Sequence, residues 1–391
     1  MSRLRAVDLF SVELRFTSPV LTAAGTHRVR PVAFVRIETD ESEGFGECAA
    51  LTEGTAVDPP FDAVLAAFER TGIDRLLAAA SARGGVLPQA SQVPALFGSS
   101  PAAHMVAATL EMAVLDAEVR ASATSLWSRL DVDEEVARAG VPVGHLVGIP
   151  EGRRVDSLVD RVGALVGSGA TARVRVKIEP GWDVEPLRAL REAFGDLALQ
   201  ADANGSYRMD GDGDGGGLDD AMRLIALDDL EISCVEQPLV PGDLAALAQF
   251  AARLETPIAL DESLTSLGRV RDALRYGACD VACVKPARLG GLLRARAAAA
   301  ACHEAGVGAF VGGFFETGLA RSANASLAGL ATFTLVGDLS DPGEYLQGPV
   351  GASSGAYPGL DGARLRLFDG PGIAPVPDLA AAVPLRTWRA P

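Results

Sequence analysis

The chain has 391 residues, 48% of them hydrophobic and 22% charged, and carries a formal net charge of −16. That composition supplies ample apolar surface for packed cores and excludes disorder, and about 100–200 residues per domain points to two domains or one large barrel with an addition. The acidic balance excludes nucleic acid as the main partner, because phosphate binding needs a Lys/Arg face, and no uninterrupted apolar run reaches the ~18 residues of a membrane span.

Residues 5–16 read as a strand, with Val7, Leu9, Val12, Leu14 and Phe16 broadly alternating with polar neighbours. The opening Met1-Ser-Arg-Leu-Arg lacks the apolar core and cleavage site of a signal peptide. Thr17–Arg30, with Pro19, Gly25 and His27, reads as a mobile loop. A second strand follows at Val32–Ile37, and Gly44-Phe-Gly-Glu-Cys48 closes that sheet region. Residues 61–80 and 103–122 show helical spacing, so the first ~125 residues form an α+β module. Cys48, Cys234, Cys279, Cys283 and Cys302 are odd in number and scattered, which fits a reduced, cytoplasmic setting and offers no zinc motif.

After Val141, short apolar runs recur, each followed by an amphipathic helix: Val174–Ile178, Leu197–Ala201, Ile232–Val235, Ile258–Leu260, Val281–Val284 and Gly308–Val311. Strand alternating with helix implies parallel βαβ units. Lys177, Asp202, Glu236, Asp261 and Lys285 each fall at or just after the end of one run, separated by 25, 34, 25 and 24 residues. The long step contains Gly211-Asp-Gly-Asp-Gly-Gly-Gly217, which reads as a surface insertion and not as a phosphate loop, since it lacks the Gly-Lys-Ser/Thr ending. Side chains at successive strand ends converge on one mouth only if the sheet closes, as in a (β/α)₈ barrel.

Three carboxylates at adjacent strand ends repel one another unless a cation lies between them. Mg²⁺ suits such an all-oxygen site, with Mn²⁺ or another divalent ion as alternatives. The bland reading is that each acid caps the helix after its strand; three in matching positions weigh against it. Lys177 and Lys285 fall on the second and sixth strands, opposite each other in an eight-strand ring. Burial beside a metal and other cations is expected to lower the Lys285 pKa toward the range of a general base; a rim lysine in a structural ion pair is the alternative. A cation that stabilises charge next to a carboxylate, with amines on both faces, points to removal of a proton α to a carboxylate. Of the four histidines, His104 and His303 read as surface or packing residues, while His145, near a strand end, is a candidate for substrate contact. No Gly-x-Ser-x-Gly elbow supports a serine hydrolase.

In these residues the sequence resembles the enolase superfamily, and within it the group of o-succinylbenzoate synthases and N-succinylamino acid (N-acylamino acid) racemases. The resemblance spans nearly the whole chain: Gly44-Phe-Gly-Glu-Cys48, Leu110-Glu-Met-Ala-Val-Leu-Asp116, Lys177-Ile-Glu-Pro-Gly-Trp-Asp183, Asp202-Ala-Asn204, Glu236-Gln-Pro238, Leu260-Asp-Glu-Ser263, Lys285-Pro-Ala-Arg-Leu-Gly-Gly291 and Gly312-Gly-Phe-Phe-Glu-Thr-Gly318. It implies Asp202, Glu236 and Asp261 as Mg²⁺ ligands and Lys177 and Lys285 as acid/base lysines. It further implies Asn204 and Glu262 as groups that orient them, and Arg288 as the arginine of racemase-competent members. Gly312–Gly318, with Gly313, Phe314, Phe315 and Glu316, would line the substrate pocket, and the Thr17–His27 loop would close over it. Three departures bear on the substrate. Arg175 stands in the family's Lys-x-Lys segment, a fixed charge that cannot exchange a proton; Gly144-His145-Leu146 and Phe314-Phe315 reshape the pocket.

The expectation is therefore an α/β protein: a modified (β/α)₈ TIM-type barrel over residues 129–355, with an N-terminal α+β capping domain over 1–128 completed by the tail 356–391. The expected reaction is Mg²⁺-dependent abstraction of a proton α to a carboxylate through an enediolate. o-Succinylbenzoate synthesis, a dehydration in menaquinone biosynthesis, leads; N-succinylamino acid racemisation is the alternative, and an inactive carboxylate-binding barrel the third option. The expected partner is a small carboxylate substrate, with no nucleic acid or membrane, in a homo-oligomer.

Overall fold

The computed structural model describes residues 2–22, 25–208, 216–348 and 359–390. Three antiparallel strands open the chain: β1 (Leu4–Thr22), β2 (Gly25–Thr39) and β3 (Glu43–Cys48). The segment expected as a loop is instead the far end of the β1–β2 hairpin, with Val20 opposite His27 and Leu21 opposite Thr26. The ladder absorbs Pro19, which has no N–H to give it, by shifting register between Arg15 and Val20. Residues 211–215 of the glycine/aspartate stretch lie outside the described residues.

Helices α1 (Phe61–Ala67) and α2 (Ile73–Ser81) lead to the 21-residue helix α3 (Pro101–Ala121), which Ser100 caps by accepting from the Ala103 N–H. Helix α3 is buried almost all round, because it lies between this sheet and the barrel. Two glycines explain how closely it approaches: a Cβ at Gly44 would sit 2.1 Å from the Ala113 carbonyl, and one at Gly46 2.0 Å from that of Thr109. The sheet therefore needs Gly-Phe-Gly at this point.

Seven parallel strands follow in sequential order: β4 (Gly144–Val147), β5 (Arg173–Lys177), β6 (Leu199–Asp202), β7 (Val235–Glu236), β8 (Ile258–Leu260), β9 (Val281–Val284) and β10 (Gly308–Val311). The eighth position is filled by residues 335–339 without a regular strand. Leu335 and Asp338 donate to the Ala309 and Val311 carbonyls on one side, and the Gly337 carbonyl accepts from Gly144 on the other. The sheet thus closes on itself, and its polar side chains face one interior. Strand geometry puts Arg173, Arg175 and Lys177, two residues apart, on the same face of β5. Beneath them Cys234, Ala259, Val281, Cys283 and Phe310 form a small apolar plug. All five cysteines are free and buried. Among the described residues no helix is long and apolar enough to cross a membrane.

The tail strand β11 (Val383–Arg389) pairs antiparallel with the first half of β1, and Leu346–Gln347 pairs with Arg15–Phe16. Across the seam between cap and barrel, buried Glu111 of α3 accepts from the N–H groups of Leu292 and Leu293, at the start of the helix Leu292–Glu304. Burial pushes the Glu111 carboxyl up to about 8. A carboxyl raised in the folded state contributes stability that is full below its ordinary range near pH 4.5 and is lost as pH rises through about 8. Glu111→Gln is accordingly expected to gain on the wild type between pH 5 and 8, by at most ~1.4 kcal/mol per pH unit, and to level off above. Urea denaturation across that range checks it; parallel pH profiles for the two proteins contradict it.

Candidate active site

The chemistry-bearing side chains stand at the C-terminal ends of β5 to β9. Lys177 ends β5, Asp202 ends β6, Glu236 ends β7, Asp261 follows β8 and Lys285 follows β9. Lys177, Asp202, Glu236 and Asp261 are buried and Lys285 is largely so, its side chain 11% exposed. Lys177 Nζ lies 2.6 Å from Asp202 Oδ2 and 2.7 Å from Asn204 Oδ1, and Asn204 Nδ2 donates in turn to Glu262 Oε1 at 3.0 Å. On the other side Lys285 Nζ lies 2.8 Å from Asp261 Oδ2 and 4.6 Å from the centre of the Phe314 ring. Gly312 makes room for this lysine: a Cβ there would come within 3.0 Å of its stem and 2.4 Å of Cys283 Sγ.

Between the lysines lie the acids. Burial raises the Glu236 carboxyl and the charges of Asp202 and Asp261 raise it further, against the pull of Arg175. Burial also works to raise Asp261, but Arg288 and Lys285 outweigh it and hold this group well below the usual carboxylate range. Burial raises the Glu262 carboxyl to about 7, helped by Asp261 and Asp202. Burial does push the Lys285 ammonium down, yet the adjacent Asp261 carboxylate more than offsets it, so the amine is held above its ordinary value.

These residues fit a divalent cation. Glu236 Oε1 is fully buried with no hydrogen-bond partner, and oxygens of Glu236 and Asp261 lie within 4.8 Å of each other and of Cys283 Sγ. Asp202 falls outside that tight group, because its Oδ2 is drawn to Lys177. Cys283 does not suit the role: burial raises its thiol well above the ordinary value, and a neutral sulfur is a poor donor to a hard ion. The donors suited to such an ion are the carboxylates.

Above the acids opens a cavity of about 480 Å³, lined among others by Lys177, Lys285, His145, Leu146, Phe314 and Phe315. Gly313, Asn204, Glu262, Arg175 and Arg288 also border it. His145 is buried, with Nε2 2.8 Å from Glu344 Oε2. Phe315, in the left-handed backbone region at φ 58°, packs edge-on against Phe16 of the β1–β2 hairpin, 5.1 Å between centroids. Glu316, expected in the pocket wall, does not border the cavity. It turns inward to Arg321 at 3.0 Å and accepts from the Phe314 N–H at 2.7 Å, so it braces the loop from behind. His104 packs against the seam, with Nδ1 3.0 Å from the Arg288 carbonyl.

Four residues of the site escaped the sequence reading. Asp58, from the cap, receives the Arg288 guanidinium through Nε at 2.8 Å and Nη2 at 2.7 Å, while Arg288 Nη1 reaches Asp261. Arg30 donates to the carbonyls of Phe314 and Phe315 at 3.1 and 3.2 Å, and Glu47 accepts from the N–H groups of Thr317 and Ala320 and the Thr317 hydroxyl. Asp338, from the closing segment, meets Arg173 at 2.7 Å and Arg175 at 2.5 Å. Asp58→Ala leaves the buried Arg288 guanidinium with Asp261 as its one carboxylate and is expected to cost about 3–5 kcal/mol of stability by chemical denaturation. A loss under 1 kcal/mol would show that the pair does not join cap to barrel.

The Enolase C-terminal domain-like family matches residues 157–380. An N-succinylamino acid racemase of Amycolatopsis sp is 37% identical over 380 residues, covering 96% of each chain. An o-succinylbenzoate synthase of Geobacillus kaustophilus is 31% identical over 87% of this chain and 85% of that protein. The crystal structure of a member of the enolase superfamily from Listeria innocua superposes with a TM-score of 0.87, at 25% identity, covering 100% of this chain and 99% of that one.

Proposed function

This chain belongs to the enolase superfamily, in the group of o-succinylbenzoate synthases and N-succinylamino acid racemases, and on that premise we propose that it removes the proton α to the carboxylate of a succinyl-bearing substrate, with o-succinylbenzoate-forming dehydration as its reaction. One observation carries the reading. Two amines, Lys177 and Lys285, open into one cavity from the second and sixth strands, above buried carboxylates of which one oxygen, Glu236 Oε1, has no hydrogen-bond partner.

Asp202, Glu236 and Asp261 would hold Mg²⁺. Such an ion would supply a Lewis acid for the substrate carboxylate and for the second negative charge left by loss of the α proton. Everything else falls to the chain's own residues. Lys177 Nζ takes the proton, and as the C–O bond breaks the hydroxyl departs with that proton as water; Asn204, anchored on Glu262, fixes where that amine points. Lys285 sits opposite as a stationary cation, clamped between Asp261 and the Phe314 ring, and steadies the developing charge. Arg288 neutralises the far oxygen of Asp261 and is itself fixed by Asp58. The aromatic contacts of Phe315 with Phe16 and Tyr345 pack the loop that forms one wall of the cavity.

A second reading, N-succinylamino acid racemisation, draws support from the second functional group's being an amine on the opposite face. There Lys285 would return the proton that Lys177 removes. The racemase of Amycolatopsis sp, with its 37% identity, favours the same reading.

In D₂O with Mg²⁺, the wild type is expected to dehydrate the o-succinylbenzoate precursor and to exchange the α proton of an N-succinyl amino acid. Lys177→Ala should lower dehydration by about 10³-fold or more, the scale on which a general base matters. Exchange lost in both Lys177→Ala and Lys285→Ala supports the two-base racemase. Normal dehydration by Lys177→Ala removes the base assignment, and wild-type inertness toward both substrates removes the reading.

A further inference from the structure

The Arg175 guanidinium is shared between two sets of carboxylates. Its Nη1 donates to Glu236 Oε2 and lies 3.6 Å from Asp202 Oδ2, while Nη2 lies 2.5 Å from Asp338 Oδ2. Gln200 Nε2 also donates to Glu236 Oε2, at 2.8 Å. Asp338 comes from the irregular segment that closes the barrel, and its other oxygen accepts from Arg173 at 2.7 Å. Every one of these side chains is buried.

A guanidinium does not shed its charge by losing a proton. A divalent ion that shares Asp202 and Glu236 would therefore meet a fixed like charge at the same carboxylates. A neutral residue, or a lysine able to deprotonate, would relieve that conflict; Arg175 cannot. The guanidinium has one other place to direct its charge, and that is Asp338.

We propose that Asp338 is a positioning residue: it draws one side of the Arg175 guanidinium toward the closing segment, so that the arginine does not rest wholly on the metal carboxylates, and so sets the affinity of Asp202, Glu236 and Asp261 for a divalent ion. The inference rests on the metal-site reading above. Without the Asp338 charge, Arg175 settles wholly on Glu236 and Asp202 and competes with the ion. With it, the arginine has a second carboxylate to lean on when the ion arrives. Asp338 keeps Arg173 as a partner throughout, so the closing segment stays anchored.

Titration calorimetry of Mg²⁺ into the full-length protein, without substrate, tests this through a double-mutant cycle. Asp338→Asn is expected to weaken Mg²⁺ binding about tenfold or more, and Arg175→Met to tighten it about tenfold or more. In the Arg175→Met background, Asp338→Asn should change the Kd less than about threefold, because its effect runs through the arginine. Equal weakening by Asp338→Asn in both backgrounds overturns the proposal, since Asp338 would then act by its own field. Weakening by both single variants overturns it as well, as the mark of a merely structural role. Arg175→Gln takes the place of Arg175→Met in the cycle if the latter does not fold. A wild type that binds no Mg²⁺ overturns the metal-site reading itself, an outcome distinct from failed coupling.

Discussion

Like charges gathered in a dry place dominate this molecule. Asp202, Glu236, Asp261 and Glu262 are buried together at one end of a barrel, with Asp338 beside them. Carboxylates so placed repel and resist ionising unless cations stand among them. The chain supplies four cations of its own at this point, Arg175, Lys177, Lys285 and Arg288, each hydrogen-bonded to at least one of the acids. One oxygen of Glu236 is still left without a partner. The fold stores electrostatic tension at its mouth, and the proposed metal and substrate chemistry relieves it.

The rest of the structure keeps these charges in register. Strand periodicity sends Arg173, Arg175 and Lys177 inward together, and the apolar plug beneath them keeps the barrel floor dry. The cap works from the other side. Asp58 fixes Arg288, Arg30 and Glu47 fix the loop carrying Phe314 and Phe315, and the β1–β2 hairpin lays Phe16 against Phe315. Cap and barrel thus both border the cavity and are joined by buried polar contacts. Breaking any one of them leaves a charge without its partner.

Much of this was legible in the sequence, for a physical reason. Barrel strands are short, apolar and spaced about 25 residues apart, so a polar residue at the end of each run stands out, as Lys177, Asp202, Asp261 and Lys285 do. Asp338 was missed although the same period leads to it, because residues 335–339 close the ring without the apolar alternation of a strand. Asp58 was missed because it meets Arg288 across 230 residues and belongs to no local pattern. Glu316 was misplaced for a related reason: position along a loop says that a residue is near the pocket, whereas its rotamer, set here by Arg321 and the Phe314 N–H, decides which way it faces. The hairpin tip at Val20 and His27 was read as a loop because Pro and Gly signals outweighed an alternation that pairing across the hairpin makes effective.

The central claim is that three strand-end carboxylates share one divalent ion between two facing amines. Anomalous diffraction from crystals grown with Mn²⁺ addresses it most directly. The account predicts a single strong peak with one oxygen each from Asp202, Glu236 and Asp261 within ~2.4 Å, and with the Lys177 and Lys285 amines on opposite sides of it. An ion held by only one of the three, or no ion at this end of the barrel, contradicts it.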